Sequence, residues 1–325
     1  MRLKMVPSDT KIDFFAAPMI TLGASALAMV ASVIFFFMFG LNYGIDFRGG
    51  TTIRTDSEVA VDIAGYRAAL QPLNLGDVTI TKVVDPAEQL QGIESHVAQI
   101  RIQAQEGAES VTNEVITKIK DALTKVDPTM TFPQIDSVGP KVSGELIQTA
   151  VIAVLLSIGA VLFYIWLRFE WQFSVGAVAA LVHDVTLTIG VFSILQIKFD
   201  LAIIAALLTI VGYSLNDTVV VFDRVRENLR KYKKMGLKEL LNLSINETLS
   251  RTVMTSVTTL IALVSLFVLG GDVIHGFVFA MIWGVIVGTY SSVFVASAIL
   301  LRLGVKRDWS KEANKAGGQY ADIDA

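Results

Sequence analysis

An acid stands inside an apolar run at Asp217. The stretch VGYSLNDTVVVFDRVREN, residues 211 to 228, carries Asn216 and Asp217 among valines and leucines and reaches its first guanidinium only at Arg224. At a helical rise of about 1.5 Å per residue, Asp217 lies roughly 10 Å inside that charged edge. A charged Asp near a bilayer centre costs about 2.5 to 3.5 kcal/mol on even the lower scales, so its default reading is a functional group with a partner nearby. The stretch LSRTVMTSVTTL, 249 to 260, offers one: Arg251, Thr255 and Thr258 share a helical stripe, with Thr259 adjoining. Arg251 lies about as deep as Asp217, so the two can meet. Protonating the acid would break such a pair and free the guanidinium, which couples proton binding to helix movement. The alternative is a static ion pair that clamps two helices together, with Ser and Thr as interhelical glue.

A second polar pair sits in ALVHDVTLTIG, 180 to 190, where His183 and Asp184 lie about 18 Å along a helix from Trp171, near mid-membrane. A buried His beside an Asp reads either as a packing residue or as a proton relay. Their depth differs from that of Asp217 by about 10 Å, so water would have to bridge them. With three His and no Cys, no metal site is expected. No Walker loop or nucleophile elbow occurs, so an ATP motor, a hydrolase or any other enzyme is not expected, nor any cofactor beyond protons as the coupling ion. At LNYGIDFRGGT, 41 to 51, Gly44, Gly49 and Gly50 surround Asp46 and allow a sharp chain reversal, which reads as a structural turn.

The elements that must hold these groups are membrane helices. The chain is 53% hydrophobic and 18% charged with a mean hydropathy of +0.58, the profile of an integral membrane protein. Six apolar segments, near 16–41, 147–167, 172–196, 199–222, 250–270 and 274–301, each reach the length a bilayer requires, about 20 helical residues. The first follows Arg2, Lys4 and Lys11 and is too long for a signal-peptide core, so it reads as a retained span. Between the first two segments, 42–140 reads as strand TTIRT, helix VDIAGYRAAL, strands DVTITKVV and HVAQIRIQ, helix SVTNEVITKIKDAL and strand TFPQIDSV. That βαββαβ order predicts an α+β ferredoxin-like domain inserted into a bundle that resumes over 141–301.

Orientation follows from Lys and Arg, which are retained on the cytoplasmic side. The N-terminus (1–15), Arg168, the cluster from Arg224 to Lys238, and Arg302, Lys306 and Arg307 leading into the tail 302–325 fall on one side. Both termini are therefore expected in the cytoplasm and the βαββαβ domain outside. Segment 224–246, with Val225, Leu229, Tyr232, Leu237, Leu240 and Leu241 among basic residues, reads as an interfacial amphipathic helix, or alternatively as a solvated linker. No basic domain suggests nucleic acid as a partner.

By GIDFRGG at 44–50, DSVGP at 136–140, RFEW at 168–171, HDVTLTIG at 183–190, GYSLNDTVVVFDRVREN at 212–228 and RTVMTSVTTL at 251–260, the chain resembles the SecD/SecF family. This is the accessory family of the bacterial protein-export translocase, related to RND transporters. The resemblance implies that Asp217 matches the family's proton-conducting aspartate, Arg251 its partner arginine, and His183 and Asp184 a motif of the third helix. It implies a SecF-type subunit in the bacterial inner membrane, a heterodimer with SecD, contact with the SecYEG channel and YajC, and an unfolded secretory polypeptide as client. Residues 52 to 135 carry no transferable motif, and contact with the client is assumed there only. The rival reading is a proton-driven RND-type exporter of small molecules or lipids, which the small outer domain disfavours. A third, a scaffold subunit of a translocase, predicts that Asp217 is dispensable.

Overall fold

Hydropathy marks where helices cross lipid, and packing decides how far they continue. A computed structural model describes residues 10–76, 78–83, 96–103 and 112–305. In chain order it contains α1 (Pro18–Phe39), β1 (Asn42–Tyr43), α2 (Ile45–Arg48), β2 (Gly50–Asp56), α3 (Ile63–Leu70), β3 (Val78–Val83), β4 (Val97–Gln103), α4 (Asn113–Val126), β5 (Thr131–Val138), α5 (Pro140–Arg168), α6 (Trp171–Leu195), β6 (Lys198–Phe199), α7 (Leu201–Lys231), α8 (Leu237–Leu269), α9 (Asp272–Ser291), a π turn (Ser292–Ala296) and α10 (Ser297–Leu303). Among the described residues, six helical segments are long and apolar enough to span a membrane: α1, α5, α6, α7, α8, and α9 continued into α10.

The insertion has the expected βαββαβ order. Its sheet runs β3-β4-β2-β5 with every neighbour antiparallel, and Ile53 of β2 stands opposite Ile100 of β4 and Ile135 of β5. Strand alternation sends Ile53, Ile80, Ile100 and Ile102 to one face, where Tyr66 and Leu70 of α3 and Ile119 and Leu123 of α4 cover them. Asp62 and Thr112 cap the two helices, accepting from the Gly65 and Val115 amides at 3.0 and 3.4 Å.

Two apolar clusters hold the bundle. One gathers Phe15, Ile165, Phe169, Phe173, Phe222, Val225, Leu229, Leu240 and Leu241; the other gathers Leu41, Phe47, Phe192, Phe199, Ile203, Leu207, Ile210 and Met281. Close helix approach depends on small residues. A Cβ on Gly190 would fall 2.2 Å from Ser32 Oγ of α1, and one on Gly284 would fall 2.3 Å from Ile210 of α7.

Segment 224–246 does not form a separate amphipathic helix. Val221, Phe222, Val225 and Leu229 continue the buried face of α7 through the basic cluster to Lys231, and α8 starts at Leu237 and runs unbroken into the span. The apolar residues of this segment therefore pack into the protein rather than into headgroups. The N-terminal strand of chain lies over them: Asn242 donates to Asp13 at 2.7 Å, and the Phe14 amide donates to Asn242 at 2.9 Å. Lys306, Arg307 and most of the expected terminal segments, including Arg2 and Lys4, lie outside the described residues.

Candidate functional site

Of the polar groups singled out in the sequence, Asp217, His183 and Asp184 occupy the layer of the bundle between its two apolar clusters. On α7, Ile210 belongs to one cluster and Val221 to the other, with Ser214 and Asp217 between them. Asp217 is 2% exposed, and its Oδ2 has no hydrogen-bond partner. Asn216, next in the chain, turns to the outer face. Arg251 of α8 is near enough to act on Asp217 electrostatically, but among the described residues the two make no ion pair within 4.0 Å. They are neighbours across the α7–α8 seam with an open contact.

The remaining stripe of α8 points outward. Arg251 and Thr258 are exposed, and Thr255 and Thr259 half-buried. Thr255 and Thr258 donate to their own helix, at Thr252 O (2.9 Å) and Met254 O (2.8 Å). The face that α8 presents to the bundle is instead Thr248, Thr252 and Ser256, and Ser256 hydrogen-bonds Thr289 of α9 at 2.7 Å.

His183 and Asp184 are each 1% exposed and bonded to one another, His183 Nδ1 to Asp184 Oδ1 at 2.9 Å. The other carboxylate oxygen accepts from two hydroxyls on different helices, Ser214 at 2.5 Å and Ser291 at 2.8 Å. Gly288 lets α7 come this close, because a Cβ there would fall 3.1 Å from the Ser214 Cβ. The π turn begins directly after Ser291, a backbone feature that recurs at functional sites. On the other side, the His183 ring stacks on Tyr290 with centroids 6.1 Å apart. Tyr290 OH donates to Thr21 O at 3.2 Å and lies 3.1 Å from Ser25 Oγ.

A buried polar network therefore joins α1, α6, α7 and α9 and ends on Ser214, three residues and about 4.5 Å of helix rise from Asp217. The roughly 10 Å gap estimated from depth narrows because α6 and α7 pack with Asp184 bonded to Ser214; among the described residues no hydrogen bond spans the last step from Ser214 to Asp217. Ser214, Ser291 and Tyr290 escaped the sequence reading. A serine one turn before Asp217 on the same face was the available signal; nothing local marked Ser291 or Tyr290.

The glycine turn is more than a reversal. Gly44 donates to Phe199 O at 2.7 Å, β1 pairs in parallel with β6, and Asp46 Oδ2 accepts from the Leu201 amide at 3.1 Å, capping the first turn of α7. A Cβ on Gly44 would fall 3.1 Å from that of Asp200, and Gly49 and Gly50 take φ values of 73° and 130°, where glycine is favoured. The root of the inserted domain is thus fastened to the helix that carries Asp217.

Fold and site define a class: a polytopic membrane protein with six spanning helices, a ferredoxin-like insertion after the first, and an acid-containing polar layer inside the bundle. Comparison with known proteins gives the family. The family model for protein export membrane protein SecD/SecF, C-terminal, matches residues 118–306, and that for the SecD/SecF GG motif matches 34–61. The chain is 60% identical over 324 residues to the protein translocase subunit SecF of Cereibacter sphaeroides, covering 100% of this chain and 99% of that one. It is 40% identical over 306 residues to the protein translocase subunit SecDF of Brucella abortus, covering 94% of this chain and 39% of that one. The crystal structure of SecDF, a translocon-associated membrane protein from Thermus thermophilus, superposes with a TM-score of 0.79 at 35% identity, covering 93% of this chain and 40% of that one. The chain belongs to the SecD/SecF family, and it spans about two fifths of the length of these SecDF relatives.

Proposed function

We propose that this chain is an accessory subunit of Sec protein export that works with SecD, and that a proton taken up and released by Asp217 drives movements helping secreted polypeptides outward. The observation that carries the reading is the state of Asp217: buried, with one carboxylate oxygen unbonded, beside Arg251 and one turn from a network reaching three other helices. A merely structural acid at this depth would be satisfied by its neighbours. Arg251 stabilises the ionised form; protonation removes that attraction and lets α7 and α8 shift against one another. His183 and Asp184, through Ser214, serve as the relay or hold α7 in register. Asn216 and the hydroxyls Thr255, Thr258 and Thr259 lie toward the partner side. One proton crossing 100 mV supplies about 2.3 kcal/mol, enough to bias a two-state motion by roughly fiftyfold.

Relatives named as protein translocase subunits SecF and SecDF support the export role, and the chains named SecDF, in which this segment is 39 to 40% of the length, support association with SecD. The remaining assignments stand on resemblance and charge: residence in the bacterial inner membrane, cytoplasmic termini, an outer βαββαβ domain contacting the unfolded client, and contact with SecYEG and YajC. In inverted membrane vesicles, Asp217→Asn should leave the protein folded and assembled while abolishing proton-gradient-dependent secretion. Normal secretion by the Asn variant would leave the static clamp as the correct reading.

A further inference from the structure

An apolar cavity opens between α1, α5, α6 and α7, at the end of the bundle nearest the inserted domain. Its volume is about 480 Å³, within the range of ligand sites, roughly 300 to 1,000 Å³. Phe36, Tyr43, Phe47, Val151, Ile189 and Leu207 contribute to a lining in which the Tyr43 hydroxyl is the only polar side-chain group. Its α5 wall is open on the outside of the bundle: Val151 is 54% and Leu155 65% exposed. An apolar cleft of this kind within a membrane has no water to fill it, and lipid chains are the surrounding solvent.

The cavity mouth carries positive charge. Arg48, exposed at the end of α2, lies with its guanidinium 5.9 Å from the centre of the Tyr43 ring that lines the cavity. Arg101 of β4 is half-buried and close enough to be repelled by Arg48; burial first, then that repulsion, lower its pKa from the usual arginine value. The acids facing this pair are Asp46 and Asp200. Both are already engaged: Asp46 caps Leu201, and Asp200 caps Ala202 and pairs with Lys198 at 3.5 Å. Among the described residues neither arginine makes an ion pair within 4.0 Å. A guanidinium lying over a ring of the lining and making no ion pair, with a second guanidinium within electrostatic reach, beside an apolar cleft large enough for an acyl chain, matches a phosphate ester carrying a hydrocarbon tail.

We propose that a phospholipid of the leaflet on the domain side is a resident ligand, its acyl chain in the α1/α5/α6/α7 cleft and its phosphate at Arg48, where Arg101 adds positive charge. The lipid then wedges the root of α5 against the glycine turn that caps α7. This site is independent of proton coupling through Asp217.

The test places the photoreactive amino acid p-benzoylphenylalanine at Leu155 of the full-length chain in native membranes of cells fed radiolabelled phosphate. Illumination should yield a labelled lipid adduct. Arg48→Gln should lower the yield about tenfold, the loss of one charge-assisted contact. Ala150→Phe, which fills the cleft from α5 and leaves both arginines in place, should abolish it, with normal thermal melting as the folding control. An adduct to a protein would mean that a partner helix occupies the cleft. A lipid adduct equally strong in both variants would mean bulk lipid touching an exposed surface. Either result overturns the proposal.

Discussion

The carboxylate of Asp184 has three hydrogen-bond partners inside the bundle, and Asp217, three residues beyond the serine that Asp184 binds, is left with an oxygen unbonded. The contrast predicts different phenotypes. Replacing Asp184 removes the acceptor for His183 and Ser214, while Ser291 can still donate to Gly288 O at 3.2 Å, and each buried donor left unsatisfied costs about 1 to 3 kcal/mol. Asp184→Leu should therefore lower the melting temperature of the detergent-solubilised protein steeply, with Asp184→Asn milder because it keeps one acceptor oxygen. A melting curve for Asp184→Leu that matches wild type would mean that the network contributes nothing to holding α6, α7 and α9 in register. At this scale the sequence was legible where a residue contradicts its surroundings: an Asp, a His or an Arg in an apolar run is conspicuous by type. Ser214, Ser291 and Tyr290 contradict nothing, since a hydroxyl in a membrane helix can bond its own backbone. Their convergence on Asp184 and His183 depends on how three helices far apart in the chain pack together.

Among the elements, the inserted domain was legible because alternation of period two and amphipathic turns are local properties, as Ile53, Ile100 and Ile102 on the strands and Ile119 and Leu123 on α4 demonstrate. Helix ends were less so. Hydropathy reports contact with lipid, whereas α7 and α8 run past the lipid edge on apolar residues that bury against Phe169, Phe173 and Phe15. The glycine turn was readable as a turn but not as a clasp, because its partners, Phe199 and Leu201, lie about 150 residues away. Removing a capping carboxylate costs about 0.5 to 2 kcal/mol. Asp46→Ala should accordingly speed amide hydrogen exchange at Leu201 and in the first turn of α7, while the β2–β4 pairing keeps its protection. Unchanged exchange at Leu201 would indicate that the clasp does not hold the helix start.

At the scale of the molecule, nothing among the described residues covers the polar face of α8 or one face of α7. Ala202, Ala205, Thr209, Gly212 and Asn216 form an exposed stripe of small and polar residues along α7, and Arg251 and Thr258 are exposed on α8. Small residues at such spacing let a second helix approach closely, and transporters of this general kind pair two six-helix repeats. The chain has no cysteine, so single cysteines introduced at Thr209 or Gly212 report cleanly. They should crosslink to a helix of the SecD-type partner in native membranes, whereas one at Leu27 on α1 should not. Crosslinking from Leu27 alone would assign the partner to the opposite face and separate it from Asp217. The central claim is that Asp217 carries the proton whose passage drives export. The most direct measurement is proton flux, read by a pH-sensitive dye inside liposomes that hold this chain, its partner and the channel while a secretory precursor is being translocated. Wild type should show flux that rises with translocation and Asp217→Asn only the leak of empty liposomes; equal flux through both would contradict the account.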